Sequence, residues 1–393
     1  MIGSAQRRSA VAVAAVVAAL APLAACGDSS SAGGGGGGVA KGATLTIGVS
    51  TVATGPLAIN DQCTQGLLAY FKYRNAQGGI GGHKVEVNVI DSQGTVAGGA
   101  TAARTLLGDK PFAVFILSTA PFTGAQSVLK TAPETPVLVL ANGSLLKAAK
   151  LPNAFGMFTD YTTESFVGIK HLAGLGKKKI ALVYDPTIGE NAADEDPAEA
   201  AKYGAEIIKI PVPSTTSNFA PIVQKLRDSG ADGIVFQVVA QSIAGTMKEA
   251  RKAGLTLPAV SYSGQLNAST LQLGGDALEG MYFSGLFPLL SDPAPAVQEF
   301  ATQIEQYKPD AKTVLGELGW NTGAMIEAAV TDAEKGGELT QQTFMAALHG
   351  LGGRPVGVLQ TVGWTATNTN SIDAGNTDVF ALYQVRNGAF VKV

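Results

Sequence analysis

From Thr44 onward, short apolar runs of strand length alternate with stretches of helical period. No other feature constrains the fold as strongly. Repeated β-α-β units joined by right-handed crossovers build parallel sheets with helices on both faces. Strand candidates are 44–50 (TLTIGVS), 85–90, 112–117 (FAVFIL) and 136–140 (PVLVL), with helices at 61–75, 97–107 and around 125–131. The two near-continuous apolar runs are what parallel strands covered on both faces look like. The pattern then repeats. Strands are predicted at 179–184, 206–211, 234–239, 259–262 and 281–284, and helices at 294–307, about 315–335 and 340–350. Phe219, Ile222, Val223 and Leu226 share one helical face, as do Ile243, Met247 and Ala250. Asn387-Gly388 between two short apolar runs predicts a terminal hairpin. Two such series predict an α/β protein of two Rossmann-like, doubly wound parallel-sheet lobes.

Composition narrows the function. The 393 residues carry 15% charged and 46% hydrophobic residues, with a formal charge of −3, so neither a disordered chain nor a phosphate-backbone binder is expected. Two cysteines make no disulfide framework, and three scattered histidines make no metal site. Cys63 reads as a buried, inert thiol. Glycines 78, 79, 81 and 82 leave a helix and enter a strand, which is the reverse of a dinucleotide loop, so they read as a helix stop and turn. The acidic run Asp194-Glu195-Asp196 reads as a solvated helix start. Trp320 reads as core, whereas Tyr161 sits at a lobe crossing where it can face either core or cleft. No catalytic constellation emerges, so no enzyme and no cofactor are expected.

The first residues form an address. Arg7 and Arg8 precede an apolar run over 10–20, then Leu23-Ala24-Ala25-Cys26. This is a secretory signal too short to span a membrane. The Leu-Ala-Ala-Cys sequence resembles a bacterial lipobox, implying cleavage after residue 25 and lipidation of Cys26. Residues 26–43, with six consecutive glycines at 33–38, then form a tether with a reach of roughly 25 Å. Loss of residues 1–25 removes two arginines and no acids, taking the formal charge from −3 to −5.

Ligands of open α/β sheets sit outside the carboxyl ends of the strands. Here those ends carry Thr54 and Leu57, Ser118-Thr119-Ala120, Ala141-Asn142-Gly143, Val239 and 261–265, with little charge. Such loops hydrogen-bond a small molecule through side chains, backbone groups and helix N-termini.

The body from Thr44 to Val393 resembles the type I periplasmic binding proteins, specifically their leucine/isoleucine/valine-binding family. The resemblance rests on TLTIGVSTVATGPLA, NAQGGIGGHKVEVNVIDSQG, LGKKKIALVYD, VQKLRDSGADGIVF with MKEARKAGL, and ALYQVRNGAFVKV. It implies two lobes joined by three hinge crossings: residues 44–160 with 286–355 in the N-terminal lobe, and 161–285 with 356–393 in the C-terminal lobe. It further implies a monomeric, extracytoplasmic lipoprotein that captures an amino acid or a related amide or carboxylate and delivers it to an ABC permease and its ATPases. A ligand sensor that signals to a partner without transport is the alternative. Carried over by position, the carboxylate donors fall on Ser118, Thr119 and Ala120, and the next loop on Ala141, Asn142 and Gly143, with glycine for the usual threonine. The tyrosine of a Tyr-Gly pair falls on Ile188, a second cleft aromatic on Val239, and the acid that pairs a ligand ammonium on Ser263. Those departures point away from a standard branched-chain amino acid. With Asn142, Gln241, Gln265, Thr119 and Ser263, they suit an uncharged polar solute or a small carboxylate.

Overall fold

The computed structural model describes residues 37–55, 57–158, 160–359, 361, 362, 364 and 377–393. The signal segment, Cys26 and most of the tether lie outside them. The first sheet comprises β1 (Leu45–Thr51), β2 (Val85–Asp91), β3 (Ala113–Leu117), β4 (Val137–Leu140) and β5 (Ala154–Gly156). All its pairings are parallel, in the order β2-β1-β3-β4-β5. The second sheet holds β6 (Lys179–Tyr184), β7 (Glu206–Pro211), β8 (Gly233–Gln237), β9 (Ala259–Ser261) and β10 (Tyr282–Gly285) in the matching order β7-β6-β8-β9-β10. An antiparallel hairpin of β11 (Ala381–Arg386) and β12 (Ala389–Lys392) extends it beyond β10, turning at Asn387-Gly388 as the sequence predicts. Each lobe is thus doubly wound, with a switch point between its first and third strands.

Alternate residues explain the apolar runs. Phe115 and Leu117 of β3 enter one core, while Val114 and Ile116 enter the core on the opposite face. In β6, Ala181 and Val183 face one side and Ile180 and Leu182 the other. Period-two alternation with helices on both faces makes every position apolar.

The helices α1 (Asp61–Ala76), α2 (Val96–Gly108), α3 (Thr119–Leu129) and α4 (Gly143–Ala149) connect the first sheet. The second carries α5 (Tyr161–Gly174), α6 (Pro186–Ala201), α7 (Ala220–Asp228), α8 (Ala240–Lys252) and α9 (Ala268–Gly274). After β10 the chain returns to the first lobe as α10 (Pro295–Tyr307), α11 (Val314–Gly336) and α12 (Gln341–Gly350), whose apolar faces join the β1–β3 core. Trp320 stacks on Tyr73 and meets Tyr70 and Phe300 edge-on inside that core. Glycine lets α1 and α11 touch: a Cβ at Gly319 would stand 1.7 Å from the Cys63 carbonyl oxygen. Cys63 is fully buried, and burial pushes its thiol far above the ordinary range. Val356, Val358 and Trp364 pack on this lobe, and Trp364 Nε1 donates to the Gly156 carbonyl (2.9 Å).

Two crossings are described, between β5 and α5 and between β10 and α10. The third is expected at 355/356, but Val356, Val358, Val362 and Trp364 pack in the first-lobe core, and the chain joins the second sheet at β11. At the start of the fold, the Val39 amide donates to the Leu339 carbonyl (2.7 Å), so the end of the glycine-rich stretch is docked.

Two expectations are corrected. The helix expected around 125–131 starts at Thr119, because Ser118 ends β3 abruptly and its carbonyl already accepts from the Phe122 amide. The acidic run is not a helix start. It lies inside the part of α6 that follows a break at Gly189, and Asp196 is fully buried with Ser165 Oγ donating to it (2.5 Å).

Candidate functional site

The first lobe presents hydroxyls and amides at its switch point. Ser118, between β3 and α3, is a non-glycine residue at φ 82°, ψ 152°. Side chains rarely occupy that region, and residues held there cluster at functional sites. Asn60, in the short turn Ala58–Asn60, donates its Nδ2 to Ser118 Oγ (3.1 Å). Thr119 is exposed and Ala120 half-buried, and Thr119 Oγ1 accepts from the Asn142 amide (3.4 Å), tying the β3 loop to the β4 loop. Ala141 is buried ahead of Asn142, and Gly143 opens α4. Thr54 is exposed and donates to Asp91 Oδ2 (2.5 Å). Desolvation opposes ionisation of Asp91, but hydrogen bonds from Thr54, Gln93 and Ala53 hold its carboxyl below the ordinary range. Leu57 stands 47% exposed beside this loop.

The second lobe presents carboxylates. Glu164, one turn into α5, is buried, and its oxygens accept three hydrogen bonds: from the Ser263 amide (2.6 Å), Ser263 Oγ (2.8 Å) and Ser284 Oγ (2.7 Å). Burial raises its pKa to about 7, against the lowering effect of those bonds and with a further push from Asp160. Asp160 caps α5 through the Thr163 amide. Tyr161 is half-buried at the first position of α5, edge-on to Tyr262 and to Phe158. Its carbonyl accepts from Gln237 Nε2 (2.9 Å), and Gln265 Nε2 donates to the Tyr262 hydroxyl (2.8 Å). Asp185 ends β6 by accepting from the Thr187 and Ser214 amides. Val239 is half-buried at the head of α8, and Ile188 falls within α6.

The fold therefore brings Ser118, Thr119 and Asn142 together on one lobe, and Tyr161, Ser263 and Gln265 together on the other. Sequence reasoning missed Glu164. By position the family resemblance puts an ammonium-pairing acid at 263, where this chain has serine; the carboxylate of Glu164, 99 residues earlier, lies directly behind that serine. Its signal is an acidic residue in the first turn of a helix whose next four residues, Ser165 to Gly168, are all buried.

Between the lobes a cavity of about 510 Å³ runs along the hinge side of the cleft, bounded by Phe158, Ser263, Leu286, Phe287 and Leu315. Among the described residues no His, Cys, Asp and Glu group could hold a metal, and no helix is long and apolar enough to cross a membrane.

Comparison with known proteins agrees with this architecture. An amino acid binding protein from Pseudomonas aeruginosa is 26% identical over 285 residues, covering 69% of this chain and 75% of that protein. A substrate-binding protein of an ABC transporter from Desulfitobacterium hafniense superposes with a TM-score of 0.72 at 18% identity, covering 89% of this chain and 100% of its own. A branched-chain amino acid ABC transporter protein from Thermus thermophilus, solved with bound valine, gives 0.70 at 20% identity over 89% and 94%. At such identities these structures speak for the fold alone. The sequence profile of the periplasmic binding proteins matches residues 44–389, and the chain belongs to that family of extracytoplasmic solute-binding proteins.

Proposed function

We propose that this protein is the solute receptor of an ABC importer, capturing an amino acid or a related amide or carboxylate by closure of its two lobes. One observation carries the reading: the two switch-point edges differ in polarity. The first offers the Ser118 and Thr119 hydroxyls and the amides at the head of α3, suited to a ligand carboxylate. The second holds Glu164 behind Ser263, suited to an ammonium or another hydrogen-bond donor. A solute carrying both groups satisfies both edges only when the lobes close on it, and its binding energy shifts the open–closed balance. Asn142, Ala141, Gly143, Ala120, Thr54, Leu57, Gln265, Tyr161, Val239 and Ile188 complete the proposed binding set.

Glu164 also changes the outlook on ligand class. A buried ammonium without a carboxylate costs several kcal/mol, and serine at 263 argues against an α-amino acid for that reason. With Glu164 one hydrogen bond behind it, that objection falls. In the same reading Cys26 carries the lipid anchor and the chain acts as a monomer beside its permease.

Isothermal titration of the purified body with leucine, isoleucine, valine and their amides tests the ligand class. Saturable heat from any of them supports the reading. Absence of heat from these and from a panel of small carboxylates removes it.

A further inference from the structure

The hinge-side cavity has a chemistry of its own. Its walls come from the two described crossings, through Phe158 and through Leu286 and Phe287, and from the start of α11, through Val314, Leu315 and Leu318. No charged side chain lines it among the described residues; Ser263, Asn267 and Ser269 are its polar members, all on the second lobe. Apolar surface here faces water: Ile59 is 59% exposed and Val314 38%. Exposed apolar patches in a concave site mark surface that a ligand covers. An aromatic row leads into the cavity, from Tyr262 to Tyr161 (5.1 Å between ring centres) and from Tyr161 to Phe158 (6.3 Å), each pair edge-on.

Ser263 fixes what can stand at the polar end. Its amide and its hydroxyl proton are both given to Glu164. Its Oγ therefore has only lone pairs left for the cleft, so it accepts hydrogen bonds and does not donate them. The carboxylate behind it reinforces that polarity. A group placed there must bring its own N–H.

We propose that the solute is an amine- or amide-headed molecule whose N–H faces Ser263 and whose aromatic-sized apolar body fills the hinge-side cavity. This rests on the receptor reading above and narrows it. The cavity volume of about 510 Å³ lies within the range of whole small-molecule sites, well beyond what one branched aliphatic side chain fills. Two phenylalanine rings in the wall, Phe158 and Phe287, favour an aromatic partner over an aliphatic one.

The test is titration calorimetry of the full body with L-phenylalanine, L-leucine and 3-phenylpropionate, the last lacking only the amino group. Phenylalanine is expected to bind at least about tenfold more tightly than leucine, and 3-phenylpropionate at least about tenfold more weakly than phenylalanine. Leu315→Trp, which fills the cavity from a half-buried position, should weaken phenylalanine binding about tenfold or more, and by more than it weakens leucine. Should that variant melt early, Ile59→Trp at the exposed rim replaces it. Leucine binding as tightly as phenylalanine, or phenylalanine affinity unmoved in either variant, overturns the proposal while the receptor reading stands. Silence from all three probes also overturns it, and the receptor reading falls with it only if the amides and small carboxylates are silent too.

Discussion

The two lobes share one strand order yet treat charge at the cleft in opposite ways. In the first, the switch point ends in a strained serine and a fresh helix, and its nearby carboxylate, Asp91, is solvated and held ionised by donors. In the second, the carboxylate behind the cleft-edge serine is taken inside: Glu164 lies under Ser263. The same topology therefore supplies an edge suited to an anion and an edge suited to a donor. Fold sets where a ligand sits; the side chains buried beneath each strand end set which part of the ligand each lobe takes.

The largest test of that contrast is pH. Glu164, Asp196 and Glu317 are buried acids whose pKa values burial raises to about 7, 8 and 8, from 4.5, 3.8 and 4.5. For Glu317 the Asp292 charge adds to the effect, and neither carboxylate oxygen has a hydrogen-bond partner. Because the unfolded chain ionises first, their contribution is intact below about pH 4 and is lost as pH climbs through 7 to 8. Each group adds a slope of up to about 1.4 kcal/mol per pH unit. Urea unfolding between pH 5 and pH 8.5 should show stability falling by several kcal/mol. Glu317→Gln in the first lobe should flatten that fall and stabilise the protein at pH 8, and Asp196→Asn should do so in the second. A pH-independent midpoint would show that these acids are not shielded from water.

Next in size is Glu164→Ala, which strips the Ser263 amide of its acceptor. An unmet buried donor costs about 1–3 kcal/mol, while the two serine hydroxyls can turn elsewhere. A loss of roughly 2–3 kcal/mol is expected in urea unfolding, together with loss of binding for any amine-headed solute. Glu164→Gln should recover most of the stability and little of the binding. Equal recovery of both would make Glu164 a structural residue and erase the electrostatic difference between the lobes.

Much of the fold was legible because its signals are local. Alternating apolar runs located β1 to β4 and β6 to β8 to within a residue or two, and Asn387-Gly388 located the hairpin. What the sequence hid was held by tertiary contact. β5 is three residues long and, among the described residues, pairs only with β4, so no periodicity marks it. A break at Gly189 separates the single turn that opens α6 at Pro186 from the rest, so its acids looked like a beginning. Ser118, Thr119 and Ser263 were legible as strand-end residues. Glu164 was not, since 99 residues separate it from the serine it supports and the packing of α5 on β8, β9 and β10 brings them together.

A smaller effect separates the two edges by ligand group. Thr119→Ala should weaken binding of a carboxylate-bearing solute by roughly 1–3 kcal/mol, if the hydroxyl reaches the ligand, and leave stability nearly unchanged at so exposed a site. The loss should be absent for the corresponding amine lacking the carboxylate. Equal losses for both solutes, or none for either, would break the assignment of carboxylate to the first lobe and amine to the second.

The smallest expected effect concerns Ser118 alone. Its φ of 82° puts a side chain where glycine is preferred, at a cost of order 1 kcal/mol. Mutating it to either alanine or glycine removes the hydroxyl that Asn60 bonds, so that loss cancels when the two variants are compared. Ser118→Gly should therefore be the more stable by about 1 kcal/mol in urea unfolding, although glycine ordinarily destabilises through its greater freedom in the unfolded chain. Alanine equal to or more stable than glycine would mean that the loop relaxes to negative φ, and the first lobe would lose its claim to a preset edge. Glycine ahead of alanine, with weaker ligand binding in both, would show that this lobe carries strain where the other carries buried charge.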